Sequence, residues 1–449
     1  MACRKFIGST WGLKPQVTMW IYKSVIRPII SYGAIALNKC IERGPIRAKL
    51  TKLQRLACSM TLGARHSTPT AGMEIILGLY PLDIFMKEKA LNDLQRLMEH
   101  KQWRGRVGDT PWPKSHTQNL DKVNNKIKGN VDVKDKLSCT HRVVSKFQTV
   151  ILSRNEISKL NLRPKPVHLN HINCFTDGSK IESRSGAGYT IWGETHLENA
   201  QLALGEHTSV FQAEIIAISE AANYLISANA TDKIICFYID SQSAIKALDN
   251  YQTKNALVLE GKHRLNTLCL RNKVSLNWVP GHEGHMGNEV ADRLAKAGAN
   301  LPIAGPEPII AVNQSYTKNL FRTWSRTAQQ ERWENRKDCR QTKLFFRTIN
   351  NPFSRTVIGM KKDDLRLLTQ IITGHADLNR HNHLMGLADS PICPACEEEE
   401  ETPLHMLTEC PAYAVNRLEI WGTHEVTMND LPDLKAIDLV KFAKSTKRW

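Results

Sequence analysis

Residues Ile234 to Ile239 form an unbroken apolar run that ends abruptly on Asp240 and Ser241. A run this short and this apolar reads as a strand buried on both faces, and such a strand needs helices packed around it. Its neighbours in sequence supply them. Val210 to Ser227 puts Ile215, Ile218, Ala222 and Leu225 on one helical face, and helical stretches follow at Gln242 to Leu248 and Ala256 to Leu270. Upstream, Ile172 to Thr176, Gly186 to Trp192 and His196 to Leu204 read as strands. Downstream, Val274 to Val279 leads through a glycine-rich loop into a helix from Asn288 to Ala297. The order βββαβαβα predicts an α/β domain over residues 168–300, with a mixed five-stranded sheet and helices on both faces.

An aspartate closing so apolar a strand is costly unless a cation meets it. Asp240 has counterparts. Asp177 closes the first strand in Phe175-Thr176-Asp177-Gly178-Ser179, Glu214 opens the first helix, and Asp292 lies one turn into the last. Any one of these acids alone is an ordinary cap or turn residue. Together, on elements whose ends converge at one edge of a sheet, they offer the several oxygen ligands that hard divalent cations take, with room left for water and a phosphate.

These blocks resemble those of type 1 ribonuclease H: the Asp177-Gly178-Ser179 strand end, the Ala213-Glu214 helix start, the Asp240-Ser241 strand end, and the GHxGHxGNExAD segment from Gly281 to Asp292. The resemblance runs from about Asn170 to Ala299. It implies a metal-dependent endonuclease that hydrolyses the RNA strand of RNA–DNA hybrids, with Asp177, Glu214, Asp240 and Asp292 holding two Mg²⁺ ions, for which Mn²⁺ could substitute. Glu214 would also sense the 2′-hydroxyl that marks RNA, and the products would carry a 5′ phosphate and a 3′ hydroxyl. His282 matches the loop histidine of the family and is expected to assist proton transfer or product release, with His285 structural or facing solvent. Two departures weaken the expected grip on substrate. Where cellular members often carry Asn-Gln ahead of the Ala-Glu pair, Val210 and Phe211 stand, and the basic protrusion that some members insert after the second Asp strand is missing, Tyr251 to Lys262 being short and only mildly basic. An alternative reading is a nucleic-acid-binding module of the same fold with little turnover. A transposase or integrase is disfavoured by the helix glutamate and the GHxGH loop.

The flanks read as helical. Val17, Trp20, Ile21, Ser24 and Val25 share one helical face, as do Ile46, Leu50, Leu53, Leu56, Ala57 and Met60, and Ile84 to Met98 repeats the pattern; all are expected in a core. Residues 1–102 thus form a helical region, 103–167 a polar linker with a short helix near Val143 to Leu152, and 301–449 a helical, basic region. Trp11 to Pro15 and Tyr22 to Ala34 resemble the segment after the polymerase palm in non-LTR (LINE-type) retrotransposon reverse transcriptases. No Tyr-x-Asp-Asp motif occurs, so the chain reads as part of such a polyprotein without its palm, and a reverse transcriptase or retrotransposon ribonucleoprotein is the partner this implies.

Near the C-terminus, Cys393-Pro394-Ala395-Cys396, His405 and Cys410 offer four ligands suited to tetrahedral Zn²⁺. They resemble the Cys-Cys-His-Cys terminus of the same polyproteins, together with Gly374-His375 and Asn379. His381 and His383 are competing ligands of poorer spacing, and Glu397 to Glu401 are expected in a solvated loop. The net charge of +17 fits a nucleic-acid partner. The other cysteines of the 11 are scattered, as in a reducing compartment. Neither a secretory signal nor a membrane-length apolar span is present, which points to the cytoplasm or nucleus and to no membrane partner.

Overall fold

The structure, a computed structural model, describes residues 12–99, 136–152, 170–281, 286–302, 314–349 and 351–449, with 106–107, 110–111, 310 and 312 besides. It divides into two compact units, Leu94–Leu320 and Met1–Asp93 with Phe321–Trp449.

The unit Leu94–Leu320 is built from β1 (Gln148–Val150), β2 (His171–Ile181), β3 (Arg184–Trp192), β4 (His196–Gly205), α1 (Val210–Ser227), β5 (Ile234–Ile239), α2 (Gln242–Asp249), α3 (Ala256–Leu268), β6 (Lys273–Trp278) and α4 (Met286–Asn300). Its main sheet runs β1-β6-β5-β2-β3-β4. The strands β2, β3 and β4 form an antiparallel meander, while β5 lies parallel to β2, β6 to β5 and β1 to β6. As the apolar run suggests, Ile235, Phe237 and Ile239 of β5 are fully buried. In β3, Ala187 packs in a cluster with Ala213, Ile216 and Ala217 of α1. A Cβ on its neighbours Gly186 or Gly188 would instead strike the backbone of α4. Because side chains alternate along a strand, α1 and α4 lie on opposite faces.

The sheet has six strands, not five. The segment read as a linker with a short helix near Val143 to Leu152 supplies the sixth, β1. Asn266 of α3 holds it by its backbone: Oδ1 accepts from Lys146 N at 2.8 Å, and Nδ2 donates to Val144 O at 2.9 Å. Phe147 is buried with the sheet residues. The open edge of β6 would otherwise present unpaired N–H and C=O groups, and β1 is too short for periodicity to reveal it.

The other unit is helical apart from isolated bridges, among the described residues. Its largest core joins Met19, Tyr22, Cys58, Leu62 and Met73 to Leu365, Leu368, Ile371 and Phe442. The faces expected to be buried in the first helices are only partly the ones buried. Leu50 is buried as expected, but Val17, Trp20, Val25, Leu53 and Leu56 are exposed, while Met19, Tyr22, Gln54 and Cys58 turn inward. The reason is polar pairing. Tyr22 Oη donates to Gln54 Oε1 at 2.7 Å and Gln54 Nε2 donates to Glu74 Oε1 at 2.6 Å, so the buried stripe contains a glutamine that a hydrophobic pattern passes over. No helix among the described residues is long and apolar enough to cross a membrane.

Candidate active site

Register places the two aspartates. Thr176 of β2 pairs with Ile239 of β5, so the next residues, Asp177 and Asp240, stand side by side where the parallel pairing ends. Asp177 does not close its strand as the sequence suggested: β2 continues to Ile181, paired with β3 alone. Glu214 is delivered by the start of α1. Ser209 and Gln212 make a capping box, with Ser209 Oγ accepting from Gln212 N at 3.2 Å and Gln212 Oε1 accepting from Ser209 N at 3.0 Å. This fixes the helix origin and hence the turn on which Glu214 sits.

Gly178 then lets that turn approach β2. A Cβ at this position would lie 2.5 Å from Glu214 N and 2.8 Å from the Ala213 carbonyl carbon. Backbone cannot yield as a flexible side chain would, so Gly178→Ala must push α1 away from the strand. We expect roughly 1–3 kcal/mol of destabilisation. We also expect a loss of about 10²-fold in any reaction that needs Glu214 beside Asp177, read by denaturant melts and turnover.

One ligand oxygen each from Asp177, Glu214 and Asp240 lies within 4.8 Å of the others. Asp177 and Glu214 are almost fully buried, 6% and 4% exposed. Burial, and then the charges of Asp240 and Asp292, push the Asp177 carboxyl up to about 7. Burial, and then Asp177 and Asp240, push Glu214 well above the carboxylate range. A backbone hydrogen bond from Gly178 opposes both shifts without cancelling them. Glu214 Oε2 is buried with no hydrogen-bond partner. Three crowded acids, one with an orphaned oxygen, are unfavourable as anions on their own, and their all-oxygen donor set fits a hard divalent cation.

The pH dependence follows. An acid whose folded pKa is raised contributes stability that is complete below its unfolded value, near 3.8, and lost as pH rises through about 7. In EDTA, hydrogen-exchange protection of β2 and β5 should therefore fall between pH 4 and pH 8. A divalent cation should restore it at pH 8 and change little at pH 4. Protection that rises with pH in EDTA would contradict this electrostatic picture.

Asp292 is not in that group of three. On α4, its Oδ2 accepts a 2.6 Å ion-pair hydrogen bond from Lys296 Nζ, one turn on. Its charge still acts on Asp177, as does that of Lys296. Trp278 Nε1 donates to Asp240 O at 2.9 Å. Gly281 leaves the Asp240 carboxylate uncovered: a Cβ there would lie 3.1 Å from Oδ2. His282 and His285 lie outside the described residues. Sequence reading passed over Ser209, Gln212 and Lys296, and named Gly178 only as part of the strand-end motif. The S-x-x-Q capping signature and the Asp-Lys spacing of four were both available as signals.

In the helical unit, one ligand atom each from Cys393, Cys396, His405 and Cys410 lies within 4.8 Å of the rest. Cys393 Sγ is 4.0 Å from Cys410 Sγ and Cys396 Sγ is 3.3 Å from His405 Nε2. Two thiolates on one tetrahedral zinc would be ~3.8 Å apart. Thr402 caps the short helix Pro403–Thr408 by accepting from His405 N at 3.0 Å, which orients the imidazole. Burial raises the Cys396 thiol, but backbone hydrogen bonds from Glu398 and Glu399, then His405 and Cys393, outweigh it and bring it down to about 7. His381 and His383 stand outside the cluster: His381 shares Ser67 Oγ with His375, and His383 Nδ1 bonds Ala388 O. The expectation of a solvated acidic loop holds for Glu397 to Glu400 and fails at Glu401, which is 0% exposed. Arg448 clasps it at 2.6 and 2.9 Å, and it accepts from Asn379 N at 2.6 Å. An isolated acid in a charged run looks solvated in sequence. A cation 47 residues away reverses that.

The unit Leu94–Leu320 is thus a mixed α/β sheet that gathers carboxylates at the ends of its central parallel strands. The family model for RNase H matches residues 170–300. A ribonuclease H of Agrobacterium fabrum is 32% identical over 149 residues, 29% of this chain and 95% of that protein. One from Actinobacillus pleuropneumoniae is 29% identical over 140 residues, covering 92% of it. A Saccharomyces cerevisiae ribonuclease H is 32% identical over 174 residues, and there the chain spans only 50% of its relative. A solved structure of LC11-RNase H1 in complex with an RNA/DNA hybrid is similar at 18% identity and a TM-score of 0.24, covering 28% of this chain and 97% of that one. Through residues 170–300 the chain belongs to the ribonuclease H family.

Proposed function

We propose that the protein is a metal-dependent endonuclease that hydrolyses the RNA strand of RNA–DNA hybrids. One observation carries this: β2, α1 and β5 bring Asp177, Glu214 and Asp240 within ligand distance of one another in a chain of the ribonuclease H family. Asp177 and Asp240 would hold two Mg²⁺ ions between them, with Glu214 on one side and Asp292 on the other. Bound there, the ions supply activation of the attacking water and charge neutralisation at the departing 3′ oxygen. The protein's part is placement. The strand register fixes the two aspartates, the capping box and Gly178 fix the turn that carries Glu214, which would sense the 2′-hydroxyl, and burial keeps bulk water from solvating the carboxylates. Lys296 holds Asp292 in its rotamer. His282 is assigned the accessory role of moving a proton or helping product leave. The resemblance of Tyr22 to Ala34 to the post-palm segment of non-LTR reverse transcriptases supports an origin in such a polyprotein, and removal of template RNA as the role. The Cys393, Cys396, His405 and Cys410 cluster we read as a structural Zn²⁺ site.

The test is labelled RNA annealed to DNA, incubated with Mg²⁺ or with EDTA, alongside single-stranded and double-stranded RNA. Metal-dependent cutting of the hybrid alone supports the reading. Cutting that persists in EDTA overturns the mechanism. Tight hybrid binding without cutting replaces the enzyme with a nucleic-acid-binding module.

A further inference from the structure

Residues upstream of the family-matched segment are built into the same unit as the carboxylates. Lys136–Arg142 runs antiparallel to Gln252–Asn255, with Lys136 opposite Asn255 and Arg142 opposite Gln252. Val143 N extends the ladder by donating to Tyr251 O at 3.0 Å. The ladder is fastened from below by Lys262, a fully buried cation whose Nζ donates to Asn250 O at 2.8 Å and to Ser145 Oγ at 3.2 Å. Asn250 Oδ1 in turn accepts from Gln252 N at 3.0 Å, and Asn255 Oδ1 caps α3 by accepting from Val258 N at 3.0 Å. The connection between α2 and α3 is therefore pinned at both ends.

Between this ladder and the first turn of α1 runs a groove of about 380 Å³, lined by Lys136, Lys254, Asn250, Gln252, Asn255 and Phe211. No acid lines it. Both lysines are exposed, and neither has an ion pair among the described residues. Phe211 comes three residues before Glu214 on α1. The groove therefore begins only ~4.5 Å along the helix axis from the carboxylate turn. Cations on the rim, amide donors within and an aromatic face for a sugar are what a phosphodiester backbone meets in a non-sequence-specific grip.

We propose that this groove holds the backbone of the strand paired with the one lying at the carboxylates, so that Lys136, upstream of the family-matched segment, belongs to the substrate-binding surface; this rests on the nuclease reading above. The ladder then supplies, from upstream in the chain, grip that Tyr251 to Lys262 lacks by itself.

The experiment compares the full chain with Lys136→Gln/Lys254→Gln and with a control, Lys246→Gln, on an exposed lysine outside the groove. Hybrid affinity is measured by fluorescence anisotropy in EDTA across a salt series, and hybrid cleavage in Mg²⁺. Loss of two phosphate contacts should lower the slope of log affinity against log salt by about 1.8, since each contact contributes about 0.9. It should also raise KM about tenfold or more with kcat unchanged, while the control keeps the parent's values. An unchanged salt slope in the double variant overturns the proposal, as does an equal loss in the control. The two readings fail separately. A parent that binds hybrid through the groove but never cuts sinks the nuclease, and a parent that cuts with the variants unaffected sinks the groove.

Discussion

Asp240→Asn is expected to reduce hybrid cleavage on the order of 10³-fold or more while leaving the protein folded and, without metal, more stable than the parent at pH 8. The two effects share one cause. Asp240 is among the charges that raise both Asp177 and Glu214. Replacing it with a neutral isostere removes a cation ligand and a repulsive neighbour together. Burial, the larger cause, stays in place, so the Asp177 carboxyl should fall only part of the way back from about 7, and the stability it loses at neutral pH should be partly recovered. A residue that merely shaped the strand end would show neither the gain in EDTA nor the change in pH profile. Melts at pH 8 in EDTA and in Mg²⁺, set beside turnover, separate the cases: the parent should gain stability from Mg²⁺ and the variant much less. Cleavage by Asp240→Asn near the parent rate would remove the carboxylates from the mechanism.

Much of this site is legible in the chain because strand ends and helix starts carry local signals. The run Ile234 to Ile239 forecasts β5, and acids at element termini forecast where ligands gather. What escaped is what depends on partners far away in sequence. Asp177 reads as a strand end because β2 loses its parallel neighbour there, yet the antiparallel pairing with β3 carries the strand to Ile181. The edge strand Gln148–Val150 has no periodicity to betray it and exists because β6 has an open side and Asn266 reaches across. In the helical unit, apolar periodicity placed Leu50 rightly but misplaced Trp20, Leu53 and Leu56, because the true inward stripe includes Gln54, satisfied by Tyr22 and Glu74. A hydrophobic pattern locates a core only where the core is apolar. Glu401 makes the same point in charge: its burial depends on Arg448, which no local window contains.

Cys410→Ser should empty the Cys/His cluster of zinc and unfasten the segment around it. The full chain is expected to carry one zinc per molecule by elemental analysis, falling to none in the variant. Cys139→Ser, on an exposed cysteine of the other unit, should leave zinc content unchanged. The effect is expected to be large because the four ligands come from the hairpin, the helix Pro403–Thr408 and the turn after it, so one ion would tie all three together. Cys393 and Cys410 are fully buried thiols 4.0 Å apart, and the hairpin that presents the first ligand pair is closed by the Ile392 to Glu400 bridge, with Asn379 Nδ2 donating to Ile392 O at 2.8 Å. A structural zinc site contributes on the order of 10–16 kcal/mol of binding free energy to the fold it closes. With a ligand removed, the hairpin and the helix Pro403–Thr408 keep their shared core packing but lose the ion that would tie them together. Glu401 should then lose its burial, and the Arg448 and Asn379 contacts that depend on it should open. Hydrogen exchange would report this as lost protection across residues 392–410 and at Asn379, reproduced in the parent by a strong chelator. A parent chain without zinc but fully protected there would show that packing alone closes the cluster, and that its four ligand atoms meet for a reason other than metal.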